Sequence, residues 1–299
     1  MNENLFVWTE AYGCGEILPP MVNSFLAHHE SQLNIFATTK DFEFLKDIDD
    51  ERVRKICIDL ENKTIHKRVS RGYRKGHLGT ARLWSYIIRS RNERYFIHLD
   101  ADTIFLDNVL NELSESLIVK KFAVVGSRRP YRFRTYRLYG REAKALDKLP
   151  DAVNTDCFGF DKKYLSTFPA WLFTRRILGK RQFRRPIIDF FDPIVFEAIK
   201  KNGKINYIDS PSSGSSSKTN DKSDFHLKRI SFSAVGSGLN FFKNPKTKTS
   251  PGYRNFALSS YSLYSNVFLG KKLEIPILEN EEINNKIKKL DRTTWKLSK

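Results

Sequence analysis

The chain has 299 residues, 40% hydrophobic and 29% charged, the balance of a globular protein rather than a disordered or fibrous one. Its 52 lysines and arginines outnumber 34 aspartates and glutamates, giving a net charge of +18, so its expected partners are anionic: nucleic acid, an anionic membrane surface or a phosphorylated substrate. No run approaches the ~18 apolar residues of a membrane span, the first residues do not read as a secretory signal, and three scattered cysteines (Cys14, Cys57, Cys157) exclude a disulfide framework or structural zinc and fit a reducing cytoplasm.

A short apolar run at 5–8 predicts the first strand, followed by a helix over 17–29 with Pro19 and Pro20 in its first turn. A second strand is expected at 33–37, an acidic helix at 41–50, and a third strand at 53–60 that ends near Asp59. Strand–helix–strand–helix–strand predicts an α/β fold with a largely parallel central sheet flanked by helices. Residues 63–77 read as basic and irregular; a helix is expected over 79–91, then a strand at 95–99 (YFIHL) whose unbroken apolar character fits burial on both faces. Another strand lies within 118–127. Six arginines between 128 and 141 (Arg128, Arg129, Arg132, Arg134, Arg137, Arg141) alternate with aromatic residues. Residues 154–165 read as strand and turn, 175–185 as a second basic stretch, 192–201 as a helix with Pro193 in its first turn and Gly203 past its end, 205–208 as a strand, and 209–224 as a Ser-rich loop. The last ~20 residues read as a terminal helix. The whole is expected to be one domain, 1–299, with halves over 1–110 and 111–299.

The sharpest chemical feature is Asp100-Ala101-Asp102 directly after the apolar run Tyr95-Phe96-Ile97-His98-Leu99. Carboxylates two residues apart at a strand end reach toward one ion, and in open α/β sheets ligands bind beyond the carboxyl ends of the strands. Hard oxygen ligands suit Mg²⁺ or Mn²⁺, which commonly share their coordination with a phosphate. The other reading of such acids is an exposed turn.

The segment from Tyr95 to Phe105, with the preceding Gly79-Thr80-Ala81-Arg82-Leu83-Trp84, resembles the DxD strand and leading helix of GT-A-fold glycosyltransferases, and the likeness covers roughly residues 4–210. The resemblance implies transfer of a sugar from a nucleotide-sugar donor, a UDP-sugar foremost, to a glycan, lipid-linked or protein acceptor. It implies that Asp100 and Asp102 hold Mn²⁺ or Mg²⁺ against the donor diphosphate, with Ala101 between them. It places Thr9, Glu10, Ala11 and Tyr12 at the nucleotide, Asp59 at the base or ribose, and Arg82 near the diphosphate. Asp192, eleven residues before Gly203, falls where inverting members carry a base, although Phe191 stands where the family has a further acid and the nearest alternative is Asp189. Asn154 and Asp156 correspond to the acceptor side, and His226 to a late histidine that supplies a third metal ligand in some members. A Val235-Gly236-Ser237-Gly238 run has residues small enough for backbone to approach phosphate.

Two other readings stand beside this one. Arginines among tyrosines and phenylalanines also suit single-stranded nucleic acid, although no recognised nucleic-acid module is present. A metal-dependent nucleotidyltransferase would use a similar sheet and acids, but the loop after the first strand is a poor phosphate-binding glycine loop with no following lysine. The basic stretches 128–141 and 175–185 could also lie on an anionic membrane.

Overall fold

In a computed structural model the described residues are 4–73, 78–129, 152–165, 192–208, 229–232, 234–249, 251–271 and 273. In chain order they form β1 (Leu5–Ala11), α1 (Leu18–His28), β2 (Leu33–Ala37), α2 (Thr39–Phe42), β3 (Val53–Cys57), α3 (Ile58–Glu61), α4 (Lys63–Tyr73) and α5 (Leu78–Ser90). There follow β4 (Tyr95–Leu99), β5 (Thr103–Phe105), α6 (Val109–Ser114), β6 (Val124–Arg129) and β7 (Ala152–Asp161), then α7 (Asp192–Lys200), β8 (Ile205–Ile208), β9 (Arg229–Ser231), α8 (Val235–Lys243) and α9 (Pro251–Phe268).

Seven strands make one sheet in the order β3-β2-β1-β4-β7-β6-β8, and β5 and β9 make a second, two-stranded one. β1 is parallel to both β2 and β4, β2 to β3, and β6 to β8, whereas β7 runs antiparallel to β4 and β6. The fold is therefore the mostly parallel α/β sheet expected. It draws β1 to β4 from the first third of the chain and β6 to β8 from later.

Every residue of β2 and β4 is buried, because helices cover both faces of the sheet. Alternation along the strands sends Phe6, Trp8, Phe36, Phe96, Phe158 and Phe160 toward α4, α5 and α7. Val7, Ile35, Ile97 and Leu99 face α1, α6, α8 and α9. The aromatic layer packs tightly: Phe96 stacks on Phe160 with centroids 5.3 Å apart, and Trp8 meets Trp84 edge-on at 5.0 Å. α5 joins this layer through Ala81, Trp84 and Ile88, spaced three and four residues apart. Truncating Trp84 to alanine there would cost about 3–5 kcal/mol.

The elements differ from expectation at several places. Residues 63–73 form α4 rather than irregular chain: Asn62 caps the helix by accepting the Ile65 N–H at 3.0 Å, and Val69, four residues beyond Ile65, is buried. The acidic helix expected at 41–50 is one α-helical turn plus a 3₁₀ turn, Glu43–Leu45. β3 stops at Cys57, so Asp59 lies in the helical turn α3. The strand expected within 118–127 is present as β6, from Val124, after a π-turn, Glu115–Val119. The arginine stretch beyond Arg129, the 175–185 stretch, the Ser-rich loop and the terminal helix lie outside the described residues.

Candidate functional site

The parallel strands β1 to β4 bring the segments after Ala11, Ala37, Cys57 and Leu99 to one edge of the sheet. Asp100-Ala101-Asp102 is the tight turn between β4 and β5, closed by the Thr103 N–H donating to the Asp100 carbonyl at 3.0 Å. It is fastened from two sides. The Asp100 N–H and the Thr103 hydroxyl both donate to the Asp156 carbonyl on β7, at 3.0 and 3.1 Å, and the Phe232 N–H donates to the Asp102 carbonyl at 3.2 Å.

Asp102 is half-buried, and burial, then the charge of Asp100 and then that of Asp156 hold its carboxyl well above the usual carboxylate range. Its own backbone N–H and that of Val235, the first residue of α8, oppose this by donating to it. Behind Asp100 a polar chain runs into the core. The Trp84 indole N–H donates to Glu10 Oε1 at 2.8 Å, and Glu10 Oε2 lies 2.9 Å from His98 Nε2, at ion-pair distance though off the line of a hydrogen bond. His98 Nδ1 is 3.7 Å from Asp100 Oδ1.

The loop after β1 is organised by an acid that sequence reasoning missed. Buried Asp41 accepts the Gly13 N–H at 3.1 Å, the Gly15 N–H at 3.0 Å and the Thr38 hydroxyl at 2.6 Å. Gly15 passes so close that a Cβ would stand 2.4 Å from the Asp41 carbonyl oxygen. The Thr38-x-x-Asp41 capping box was the available signal. Cys14, in that loop, has its thiol pushed up to about 12 by burial and by the charges of Asp41, Asp102 and Glu10, which disfavours the thiolate.

Thr9 and Ala11 are buried and face inward, and Glu10 is engaged by Trp84 and His98. Tyr12 reaches the next element: its hydroxyl contacts His66 Nδ1 and lies 2.7 Å from Ser70 Oγ, and burial raises its phenol, with Asp59 and Asp41 adding to the shift and Ser70 opposing it. Asp59 accepts the Thr39 N–H, at 2.9 and 3.2 Å from its two oxygens. It also borders an open cavity of about 630 Å³ lined by Lys63, His66, Lys67, Ser70 and Arg71. Arg82 stands on α5 across from α4, donating to the Arg68 carbonyl at 2.7 Å.

Asp156 corrects an expectation. It is buried, its Oδ1 accepts the Ser127 hydroxyl at 2.7 Å and the Cys157 N–H at 2.9 Å, and its Oδ2 lies 3.4 Å from Nη2 of Arg229, itself wholly buried. Its carboxylate is thus taken up by Ser127, Cys157 and Arg229, and it is the Asp156 backbone carbonyl that braces the DxD turn, by accepting from the Asp100 N–H and the Thr103 hydroxyl. Asn154 lies two residues earlier on β7, and Asp192 is the first residue of α7, which ends before Gly203 as expected. Asp189 and His226 lie outside the described residues. Among the described residues, no three His, Cys, Asp or Glu side chains are arranged to hold a metal ion, and no helix is long and apolar enough to cross a membrane.

No protein-family model matches the chain, and no curated protein does. Solved structures do. Mouse xyloside xylosyltransferase 1 aligns over 76% of this chain and 97% of its own, with 11% identity and a TM-score of 0.47. The galactosyltransferase LgtC, solved with donor and acceptor sugar analogues, aligns over 84% and 99%, with 10% identity and a TM-score of 0.47. The bifunctional glycosyltransferase WbbM aligns over 78% of this chain and 46% of its own, with 12% identity and a TM-score of 0.45. All are likenesses in the path of the chain.

Proposed function

We propose that the chain is a glycosyltransferase that moves a sugar from a nucleotide-sugar donor to a hydroxyl of a glycan, lipid-linked or protein acceptor. The observation that carries this reading is the Asp100–Asp102 turn at the carboxyl edge of the parallel strands, where two carboxylates crowd each other and a third, Asp156, lies behind them. Such crowding disfavours the charged form until a cation is shared. The two carboxylates are hard oxygen ligands that fit Mn²⁺ or Mg²⁺; Asp100 and Asp102 would hold the ion together with the donor phosphates, and His226 is a candidate nitrogen ligand. A bound ion would act as a Lewis acid on the leaving diphosphate.

The chain's own residues do the rest. His98 and Glu10 orient Asp100 from the core, and the Val235 N–H orients Asp102. Lys63, Lys67 and Arg71 make the rim beside Asp59 electropositive, with Arg82 on the adjoining α5, which suits the nucleotide end of a donor such as a UDP-sugar. Asp192 is the candidate base: it would take the proton from the acceptor hydroxyl as that oxygen bonds to the anomeric carbon and the bond to the diphosphate breaks. Asn154 and Asp189 are candidates for the acceptor side.

The test is a thermal-shift screen against UDP-, GDP-, CMP- and dTDP-sugars with Mn²⁺, Mg²⁺ or EDTA, followed by a product assay with the donor that binds. One nucleotide class should stabilise the chain by about 2.7 kcal/mol at a hundredfold excess over Kd. That shift should need the metal and vanish in Asp102→Asn. No shift with any donor, together with salt-sensitive stabilisation by oligonucleotides, would overturn the reading in favour of nucleic-acid binding.

A further inference from the structure

α8 and α9 form a helical hairpin whose two ends differ in character. The start of α8 lies at Asp102. Its other end, about 13 Å away for nine helical residues, is a tip in which Phe242, Lys243, Asn244, Pro245, Lys246, Lys248, Thr249, Pro251, Gly252 and Tyr253 are all exposed. Phe242 is 46% exposed and Tyr253 44%, two of the six large hydrophobic residues that stand exposed among the described residues.

Along the segment that carries these rings the charge has one sign. Residues 225–273 contain eight lysines and arginines and not one aspartate or glutamate. The tip is also held in shape. Arg254 donates to the Pro245 and Thr247 carbonyls, both at 2.6 Å, while its guanidinium lies 5.3 Å from the Phe241 ring centre. The Tyr253 hydroxyl donates to Ser237 Oγ at 3.1 Å, and Lys243 reaches back to Glu16 at 2.9 Å. Lys246 and Lys248 are thus exposed on a preformed loop, between Phe242, near the end of α8 and against Tyr261, and Tyr253, in the first turn of α9 and against Phe241.

We infer that this tip docks the protein on an anionic lipid surface, with Phe242 and Tyr253 at headgroup level and Lys246 and Lys248 on the phosphates. Aromatic rings at the interface with flanking cations are the physical signature of such contact. Half-exposed rings flanking a cationic loop suit a bilayer surface, whereas a nucleic-acid strand needs a groove. The inference places attachment on the hairpin and not on the arginine stretches 128–141 and 175–185. It does not depend on the reaction proposed above.

The experiment is co-sedimentation of the full chain with phosphatidylcholine vesicles, with and without phosphatidylglycerol, over a range of salt, using variants whose circular dichroism matches the parent. The parent should bind only the phosphatidylglycerol vesicles, and less as salt rises. Lys246→Glu/Lys248→Glu should lower the partition coefficient by at least roughly 25-fold, about fivefold per cation. Phe242→Ser should weaken binding with little change in its salt dependence. Arg132→Ala/Arg134→Ala should change it little. Equal binding to both vesicle types would overturn the inference, as would loss in the arginine variant but not the lysine variant. So would the absence of vesicle binding together with oligonucleotide binding that Lys246→Glu/Lys248→Glu abolishes.

Discussion

The Asp102 carboxylate faces Asp100 and Asp156 from a half-buried turn, so its negative charge works against the fold of the metal-free chain. Asp102→Asn should therefore raise metal-free stability by about 1–2 kcal/mol in urea titration, even as it abolishes metal-dependent stabilisation by donor. A fall in metal-free stability would show that the charge is already neutralised within the protein. His29 gives a pH dependence of its own. It is buried beside Phe25 and Phe105, its Nδ1 lies 3.1 Å from Asn108 Oδ1, and burial lowers its value to about 4 from an ordinary 6.5. The folded state holds the ring neutral, so its contribution is intact above 6.5 and is lost as the pH falls through that window, by about 3 kcal/mol at most. His29→Gln should lose less stability than the parent between pH 7.5 and 4.5. At this scale Asp100 and Asp102 were legible because acids end an apolar run. Asp41 and Asp156 were legible only in part, because what commits them is a distant partner: Gly13 and Gly15 precede Asp41 by more than 25 residues, and Arg229 follows Asp156 by 73.

Helices α8 and α9 meet at Gly238, where a Cβ would stand 2.0 Å from the Ala257 carbonyl oxygen and 2.6 Å from Tyr261 Cβ. Those obstacles are backbone and Cβ, so Gly238→Ala must push the helices apart, with an expected loss of about 2–3 kcal/mol. Because α8 begins at Asp102, the same variant should weaken donor-induced stabilisation. Gly252→Ala, at a position with nothing within 4 Å, is the control and should be near neutral. The hairpin is clipped to the rest of the fold through Glu16, which receives the Tyr261 hydroxyl and pairs with Lys243 at 2.9 Å, while Tyr264 donates to the Ile17 carbonyl at 2.8 Å. Burial pushes the Glu16 carboxyl up, but Tyr261 and Lys243 outweigh it and the net shift is downward from 4.5. A lowered carboxyl stabilises above its unfolded value and loses that contribution as the pH falls through the folded one. Glu16→Gln should cost about 2 kcal/mol at pH 7, and the gap to the parent should close below pH 4.5 in urea titration. Elements with a plain apolar rhythm, β2, β4 and β8, were read at their true bounds. α4 was hidden because its cations outnumber the two apolar residues, Ile65 and Val69, that seat it.

The parallel half of the sheet was foreseeable from alternation of strand and helix, since only a covered parallel sheet accommodates that order. The antiparallel insertion of β7 between β4 and β6 was not, because pairing over such separations leaves no local trace in the residues concerned. That insertion also sets a timetable for the chain as it is made. Leu5 of β1 pairs with Tyr95, ninety residues later, and Tyr95 in turn waits for Asp161. At a synthesis rate of about 5–20 residues per second, β1 keeps one flank open for roughly 5–18 s, and β4 then keeps one open until β7 emerges. During that interval Phe6, Trp8 and Phe96 lack the layer that later covers them. Ribosome-bound chains stopped short of residue 152 should accordingly bind a hydrophobic dye or a holding chaperone, and chains carried past β8 should release it.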